Sequence, residues 1–371
     1  MNRQVIKPTS RAWSLILAAL LALAAACSEP PSTPEAGFAG LGEASPEDFR
    51  QPTAGDTITL PRDLGVHPQH RIEWWYLTAN LKTADGSPLG VQWTQFRQGF
   101  KPATRNEKTP TDWAMDAAWM SHAALSFNGE HYFSERLARG GTGQAGATGQ
   151  PFNVWLDDWQ LRRIDGPTEQ WRLTVTADDW SYDLRITSRR DIVRHGNKGF
   201  STKSDNGQGS MYFSFVDLAI EGNVTIEDET HTVSGLGWFD REWSSQFLRA
   251  DQEGWDWLAL HLDSGAKVMA FRLRERDGFY QSGTWISPEG EARSLAPDQL
   301  TLEPGARRHT SAGSVPEQWQ LRIPAEGLDI TINVPAGEYW NHGQFPYWES
   351  PVSAEGSHTG VGYLELTGYQ E

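Results

Sequence analysis

The segment that decides the predicted fold is Arg71-Ile72-Glu73-Trp74-Trp75-Tyr76-Leu77-Thr78-Ala79-Asn80-Leu81. It is rich in aromatic and aliphatic residues and poor in helix formers, which is typical of a β-strand. Asp85-Gly86 follows as a turn signal, and the next run, Val91–Arg97, alternates with the two-residue period of a strand. These features predict a β-hairpin with one buried face.

The same hairpin recurs later in the chain. Trp255–Leu262 matches Trp74–Leu81 at a constant offset of 181 residues, and a second turn and return strand follow it. Two further pairs of segments match in the same order, namely Glu169–Leu173 with Glu317–Leu321 and Val216–Gly222 with Gly362–Gly368. Three matches in a fixed order predict a duplicated unit of strands.

Residues 1–26 have the pattern of a secretory signal. Basic residues precede the apolar run Trp13–Ala22, which is too short to span a membrane comfortably, and small residues then lead to Cys27. Cys27 is the only cysteine, and its position indicates a bacterial lipoprotein that is lipidated on this residue. The alternative is ordinary cleavage that leaves an exposed thiol.

The composition argues against nucleic acid as a partner. The formal net charge is −16, and it falls to −19 once the three basic residues of the signal are removed. An acidic surface repels nucleic acid.

Seventeen of the eighteen tryptophans follow the signal, and tryptophan is common in barrel cores and apolar ligand cavities. Residues 27–56 are rich in Pro, Ser, Thr, Ala and Glu, which predicts a disordered tether.

The remaining chain has short strand-like runs separated by Gly, Asp and Pro turns, and it shows no amphipathic helix longer than about two turns. This pattern predicts an all-β barrel or sandwich, with one copy of the repeat in residues 57–222 and the other in residues 223–371.

Several Trp-rich motifs carry a family resemblance. They are Pro61-Arg62-Asp63-Leu64-Gly65-Val66-His67-Pro68, Glu73-Trp74-Trp75-Tyr76, Trp238-Phe239-Asp240-Arg241-Glu242-Trp243-Ser244, Gly254-Trp255-Asp256-Trp257 and Gly362-Tyr363-Leu364-Glu365-Leu366-Thr367-Gly368-Tyr369. Together they resemble the AttH-like family, which is related to carotenoid 1,2-hydratase (hydroxyneurosporene synthase) and includes predicted secreted hydrolases. The resemblance implies two tandem lipocalin-like β-barrel domains and an apolar substrate in a barrel-type cavity. Phe239 and Arg241 flank Asp240 at places where the hydratase-like branch carries histidines.

The segment Asp240–Trp243 places three charged residues in an aromatic run. Because burying an unpaired charge is costly, we expect these charges to pair with each other or with Arg71 and Glu73. A carboxylate beside aromatic walls acquires a raised pKa and can protonate an alkene or carbonyl. Asp240 and Glu73 are therefore the predicted acids, with Glu242 as a further catalytic carboxylate. The alternative is a purely structural salt-bridge network between the domains.

Other candidates follow from local spacing. His67 lies six residues before Glu73 and is predicted to act as its catalytic partner, although a structural loop role is equally consistent with the spacing. The predicted ligand contacts are Trp74, Trp75, Tyr76, Trp238, Trp243, Trp255, Arg241 and His122. No metal site or cofactor is predicted, and no Gly-x-Ser-x-Gly nucleophile elbow occurs.

Two kinds of function remain open at this point. The leading hypothesis is an envelope lipoprotein that binds or handles a lipid- or isoprenoid-like molecule in a lipocalin-type cavity. The alternative is an enzyme that hydrates, isomerises or cyclises an apolar substrate by acid catalysis, or a secreted hydrolase. We expect the chain to be lipid-anchored in the bacterial outer membrane facing the periplasm. Its expected partners are an apolar small molecule or lipid and, as a weaker alternative, an ABC export system.

Overall fold

The computed structural model describes residues 48–102, 116–166, 169–246 and 251–370. The predicted signal peptide, Cys27 and most of the predicted tether lie outside the described residues. The described part is built almost entirely from β-strands, with short 3₁₀ helices at Arg62–Leu64 and Pro324–Glu326. In this part of the chain, no helix combines the length and hydropathy needed to cross a membrane. The all-β prediction is confirmed.

The first sheet contains thirteen strands of the described chain. They are β1 (Ile72–Thr83), β2 (Pro88–Gly99), β3 (Ala117–Phe127), β4 (Glu130–Arg139), β5 (Ala145–Gly149), β6 (Phe152–Leu156), β7 (Trp159–Arg163), β8 (Gln170–Thr176), β9 (Trp180–Ser188), β10 (Val193–Arg194), β11 (Phe200–Thr202), β12 (Gly209–Ile226) and β13 (Glu229–Ser244). Their spatial order is β4-β3-β2-β1-β13-β12-β9-β8-β7-β6-β5, and β10 and β11 both pair with β12. This sheet curls into a nearly closed barrel.

The second sheet begins at β14 and forms a half-barrel. The remaining strands of the described chain are β14 (Gln252–Leu262), β15 (Lys267–Glu275), β16 (Gly278–Ile286), β17 (Ala292–Leu295), β18 (Thr301–Pro304), β19 (Arg307–Thr310), β20 (Gly313–Pro316), β21 (Gln318–Ile323), β22 (Leu328–Asn333), β23 (Trp340–Asn341), β24 (Tyr347–Gly356) and β25 (Gly360–Leu366). The order is β17-β16-β15-β14-β25-β24-β22-β21-β18, with β23 beside β24, while β19 and β20 form a separate hairpin. The two sheets agree with the prediction of two tandem barrels.

The fifth strand in each sheet order corrects one of the three sequence matches. The sequence repeat equates β1 with β14 and β12 with β25. However, β13 pairs with β1 as β25 pairs with β14, with Ala79 opposite Gly237 and Leu260 opposite Gly362, and β12 and β24 come next in the two sheets. β25 is thus the counterpart of β13, and β24 is the counterpart of β12.

The predicted division at residues 222 and 223 falls inside β12 and needs correction. β12 and β13 are one long antiparallel pair of the first sheet, and the second sheet starts only at Gln252. The repeat placed the division too early, because its last match equated β12 with β25, whereas β13 is the strand equivalent to β25.

Three apolar clusters form the core of the described chain, and one of them joins the two sheets. One fills the first barrel around Trp75, Trp93 and Trp171, all of which are at most 1% exposed. A second cluster lies inside the half-barrel, and a third, which includes Tyr212 and Trp257, joins the outer face of the first sheet to the second sheet. The indole rings of this first cluster occupy part of the interior of the first barrel.

Candidate active site

The predicted site residues separate onto two faces of the first sheet. β1 and β13 are antiparallel, with Tyr76 opposite Asp240 and Trp75 opposite Arg241. Successive side chains of a strand point to opposite faces. Arg241 and Trp75 therefore point into the first barrel, whereas Asp240 and Tyr76 point toward the second sheet.

The inner face carries a buried ion-pair cluster around Glu73. Glu73 pairs with Arg241 and, at 3.0 Å, with Arg97 Nη1, and it accepts a hydrogen bond from the His67 backbone N–H at 2.9 Å. Burial alone would raise the pKa of Glu73. The Arg241 guanidinium, His67 and Arg97 outweigh that effect and hold the pKa well below its usual range. Glu73 is therefore ionised at neutral pH and is held between Arg241 and Arg97.

Aromatic rings enclose this cluster. The His67 ring stacks on Trp243 with centroids 3.8 Å apart, and the Arg241 guanidinium lies 4.0 Å from the Trp75 ring centroid. Trp75 also donates its indole N–H to the Leu64 carbonyl at 2.7 Å. The predicted pairing of Arg241 with Glu73 is thus present. Asp240, the other predicted acid, leaves the opposite face of the sheet and does not share this cluster with His67 and Glu73. Trp75, Trp243 and Arg241, predicted as ligand contacts, are buried in this cluster.

Asp240 is the centre of a second cluster, at the interface of the two sheets. Its carboxylate accepts hydrogen bonds from Tyr212 Oη at 2.8 Å, from Trp238 Nε1 at 2.6 Å and from the Ser214 hydroxyl. Its exposed fraction is 5%. Burial raises the pKa of Asp240 to about 7 although these three donors oppose the shift, and the neighbouring Glu242 adds to it. Asp240 can therefore exchange a proton near neutral pH.

The second sheet places two more carboxyl groups against this cluster. Glu349 of β24 accepts a hydrogen bond from Tyr76 Oη at 2.7 Å, and Glu365 of β25 accepts one from the Trp255 indole. Burial raises the pKa of Glu365 to about 7, with Asp240 and Glu242 adding repulsion. Burial and the charge of Glu365 raise the pKa of Glu349 well above its usual range. The interface thus combines two carboxyls whose pKa values are about 7 with a third whose pKa is raised well above its usual range.

Glu242 lies at the edge of this interface. It pairs with Lys203 Nζ at 3.0 Å and accepts a hydrogen bond from the Ser210 hydroxyl. Lys203 also lies 4.3 Å from the ring centroid of Phe271, which belongs to the second sheet. The Glu242 side chain is 18% exposed, so this ion pair forms part of the solvent-facing rim.

Aromatic side chains complete the rim and one adjoining pocket. Trp255 is half-buried and stacks on Phe345 with centroids 6.2 Å apart. A pocket of about 20 Å³ is lined by Trp74, Phe96 and Met120 among others. The strand registers of β1, β2 and β3 place these three residues on the same face as Asp240. Trp74, Trp255, Tyr76 and Trp238, all predicted ligand contacts, therefore share this interface.

His122 belongs to the same face but not to the carboxyl cluster. It is fully buried and bonds to Glu135 at 2.8 Å through Nε2 and to Tyr347 Oη at 3.1 Å through Nδ1. This arrangement links the first sheet to β24, so the predicted ligand contact is a bridge between the barrels.

Several residues of the site were not predicted from the sequence. Glu365 belongs to one of the Trp-rich motifs but was not predicted as a site residue. Tyr212 and Ser214 lie in a strand-like run, and their alternation with apolar neighbours was the available signal. Glu349 and His195 lie outside every motif named above. Among the described residues, no group of three or more His, Cys, Asp or Glu is arranged to hold a metal ion.

The fold and site define a class of protein: two joined β-barrels with a buried carboxyl cluster and aromatic walls at their interface. The AttH-like family profile matches residues 51–369, and the chain belongs to that family. The resemblance inferred from the Trp-rich motifs is therefore confirmed.

Two solved structures are similar to this chain. One is a putative AttH from Nitrosomonas europaea, with 31% identity and a TM-score of 0.77, covering 87% of this chain and 100% of that chain. The other is kievitone hydratase from Nectria haematococca, with 15% identity and a TM-score of 0.61, covering 87% of this chain and 98% of that chain. The second likeness shows a shared fold only. No curated protein matches the chain.

Proposed function

We propose that this protein is an acid–base enzyme of the hydratase type, which adds water to an apolar unsaturated compound or removes it. One observation carries the proposal. Asp240 of the first sheet and Glu365 of the second are mutually repelling carboxyl groups, and each has its pKa raised to about 7. With pKa values near 7, one of these groups can serve as an acid while the other serves as a base at neutral pH.

The arrangement supports a balanced hydration step. Protonated Asp240 gives its proton to one carbon of the double bond, and the electron pair of that bond forms the new C–H bond. Ionised Glu365 takes a proton from water as the water oxygen bonds to the adjacent carbon. The product has gained one water molecule. A proton then returns from Glu365 to Asp240 through solvent. Electron-rich indole faces, such as those of Trp238 and Trp255, stabilise positive charge that develops at the carbon.

The comparisons support this proposal at the level of the fold. A similar structure carries the name of a hydratase, and the aromatic side chains of Trp74 and Trp255 at this interface suit an apolar substrate. Dehydration is the same reaction in reverse and uses the same groups. Isomerisation needs only the proton transfers, so it is a third outcome that the site permits.

A second candidate function is binding of a lipid- or isoprenoid-like molecule without turnover. The half-buried Trp255–Phe345 pair favours it, because stacked aromatic rings at a rim are suited to an apolar ligand. The ligand would then sit between the barrels and not inside the first one. Quenching of tryptophan fluorescence in the wild-type protein, but not after Trp255→Leu, is the result expected from this binding.

We further propose that the chain is anchored through Cys27 in the bacterial envelope, where apolar compounds are concentrated. This placement is motivated by the basic, apolar and small-residue pattern of the first 26 residues. Delivery of the ligand to an ABC export system is an alternative role for the anchored protein, and it predicts co-purification with such a system.

The experiment that tests the enzyme proposal uses mass spectrometry of an apolar extract of the host envelope. The extract is incubated with residues 28–371 of the wild-type protein, with Asp240→Asn, and with Asp183→Asn as the control. Asp183 is an exposed carboxylate that pairs with Arg172. A compound that gains or loses one water with wild type and control, but not with Asp240→Asn, supports the proposal. Retained but unchanged compounds favour binding, and cleaved esters or amides favour a hydrolase.

A further inference from the structure

A buried histidine connects Asp240 to the second sheet. His195 lies between β10 and β11 and is fully buried. Its Nε2 is 2.7 Å from Ser214 Oγ, and its Nδ1 is 2.8 Å from Thr284 Oγ1 of β16. Ser214 in turn donates its hydroxyl hydrogen to Asp240. Thr284, His195, Ser214 and Asp240 therefore form one continuous chain of hydrogen bonds across the interface.

The direction of this chain follows from the chemistry of its members. Burial lowers the pKa of His195 to about 3, and the charge of Lys203 adds to the effect. The imidazole is therefore neutral and has one N–H donor. Because Ser214 uses its hydrogen on Asp240, its oxygen accepts from His195 Nε2–H. His195 Nδ1 is then the acceptor, and Thr284 is its donor.

We propose that His195 is a positioning residue for Asp240, which holds Ser214 as a donor to the carboxylate and couples this carboxylate to Thr284 of the second sheet. This inference rests on the catalytic role proposed for Asp240. It adds that the chain of hydrogen bonds through His195 sets the proton affinity of Asp240. Each donor in a chain of hydrogen bonds polarises the next one. An intact chain therefore stabilises ionised Asp240, and a broken chain favours its protonated form.

Other titratable groups also surround Asp240 and remain in place when the chain is cut. Tyr212 donates to it from β12, Tyr76 lies opposite it on β1, and Glu242 and Glu365 repel it. The ring of Tyr212 also lies 4.2 Å from that of His195. The Thr284 hydroxyl bonds to His195 and to none of these groups, so a substitution of Thr284 removes only the far end of the chain.

The test measures protonation directly, without turnover. Selective ¹³C labelling of aspartate, assigned with Asp240→Asn, reports the titration midpoint of Asp240. ¹⁵N labelling of histidine, assigned with His195→Leu, reports the tautomer of His195. We expect the Nε2–H tautomer in the wild type. The Asp240 midpoint should rise most in Ser214→Ala, less in His195→Leu and least in Thr284→Val, and Thr284→Ser should restore the wild-type midpoint.

A second bridging histidine provides the matched control. His131 is bonded to Ser126 Oγ and Asn341 Oδ1, both at 2.9 Å, and thus joins the sheets away from Asp240. His131→Leu should lower the melting temperature without moving the Asp240 midpoint. If His131→Leu and His195→Leu shift that midpoint equally, the effect is one of general packing and the proposal is overturned. An Nδ1–H tautomer in the wild type, or identical midpoints in Thr284→Val and Thr284→Ser, also overturns it.

These outcomes separate the two proposals. The expected order of midpoints in a protein that shows no hydration supports the hydrogen-bond chain and overturns the proposed enzyme activity. The opposite result is also possible. If hydration depends on Asp240 but the Asp240 titration midpoint does not change in the Ser214, His195 or Thr284 variants, only the role of His195 is overturned.

Discussion

Tyr76 and Asp240 lie opposite each other on β1 and β13, yet their side chains form hydrogen bonds with partners in different sheets. Tyr76 donates to Glu349 of the second sheet, whereas Asp240 accepts from Tyr212 and Trp238 of its own sheet. This relationship gives each buried carboxyl its own set of donors. It also keeps Asp240 and Glu349 as separate acids in one apolar interface.

Replacement of the proposed acid gives the first prediction. Asp240→Asn keeps the size of the side chain but removes the transferable proton. Because general acid catalysis contributes about 10² to 10⁴ in rate, turnover should fall by at least about 100-fold. Turnover and thermal unfolding are measured together, with Asp183→Asn as the control. Undiminished turnover in a folded Asp240→Asn protein would remove Asp240 from the mechanism.

The pH dependence of turnover gives the second prediction. Asp240 must be protonated and Glu365 ionised, and each has its pKa raised to about 7. Since the two groups interact, they titrate as a pair, and the rate should have a maximum near neutral pH. Glu365→Gln should remove the fall in rate on the acidic side. A rate that is independent of pH between about 5 and 9 would contradict this assignment.

Stability should also depend on these buried acids. The folded-state pKa of Asp240 is about 7 and its ordinary value is 3.8, so the folded state binds more protons between these values. The free energy of unfolding should therefore decrease as pH rises from about 4 to about 7, by up to roughly 4 kcal/mol for a group with this difference. Urea unfolding across this range should show a smaller decrease for Asp240→Asn. Equal pH dependence in the two proteins would contradict the raised pKa.

The ion pair inside the first barrel should be important for stability. Arg241→Met leaves Glu73 buried without its main partner, which should cost about 3–5 kcal/mol. The double variant Glu73→Gln/Arg241→Met should recover part of that loss. Arg172→Met is the control, because its partner Asp183 is exposed and the pair should contribute about 1 kcal/mol or less. Equal losses in Arg241→Met and Arg172→Met, measured by urea unfolding, would show that the buried pair has no special role.

Membrane attachment provides a test of the N-terminal prediction. Cys27→Ala should abolish incorporation of labelled palmitate in the bacterial host and remove the protein from the membrane fraction, because the acyl chains supply the attachment. The wild-type protein and an Asp183→Asn variant should both remain labelled. Label on the Cys27→Ala protein would show that the anchor is elsewhere.

Much of the fold was predictable because strand alternation and repeats are local properties of the sequence. The Trp-rich segment at residue 74 and its copy at residue 255 became β1 and β14, and both lie at equivalent positions in their sheets. The position of β13 was missed because the repeat matched β25 with β12, whereas the strand orders make β25 the counterpart of β13. The pairing of β13 with β1 is a long-range contact that no local pattern records.

The candidate site was only partly predictable for a related reason. The charges of Asp240, Arg241 and Glu242 in an aromatic strand correctly indicated a buried polar cluster. However, period-two alternation sends Arg241 into the barrel and Asp240 to the interface, so one motif contributes to two clusters. Glu349, Glu365 and His195 come from distant parts of the chain, and only tertiary packing brings them to Asp240.

The equivalence of β13 and β25 has a consequence for the symmetry of the site. The registers place Gly237 opposite Ala79 and Gly362 opposite Leu260, so Asp240 and Glu365 occupy the same position in their two sheets. The proposed acid and the proposed base are therefore related by the pseudosymmetry of the duplication. One interface joins them, so two copies of one strand supply the two proton-transfer groups of a single site.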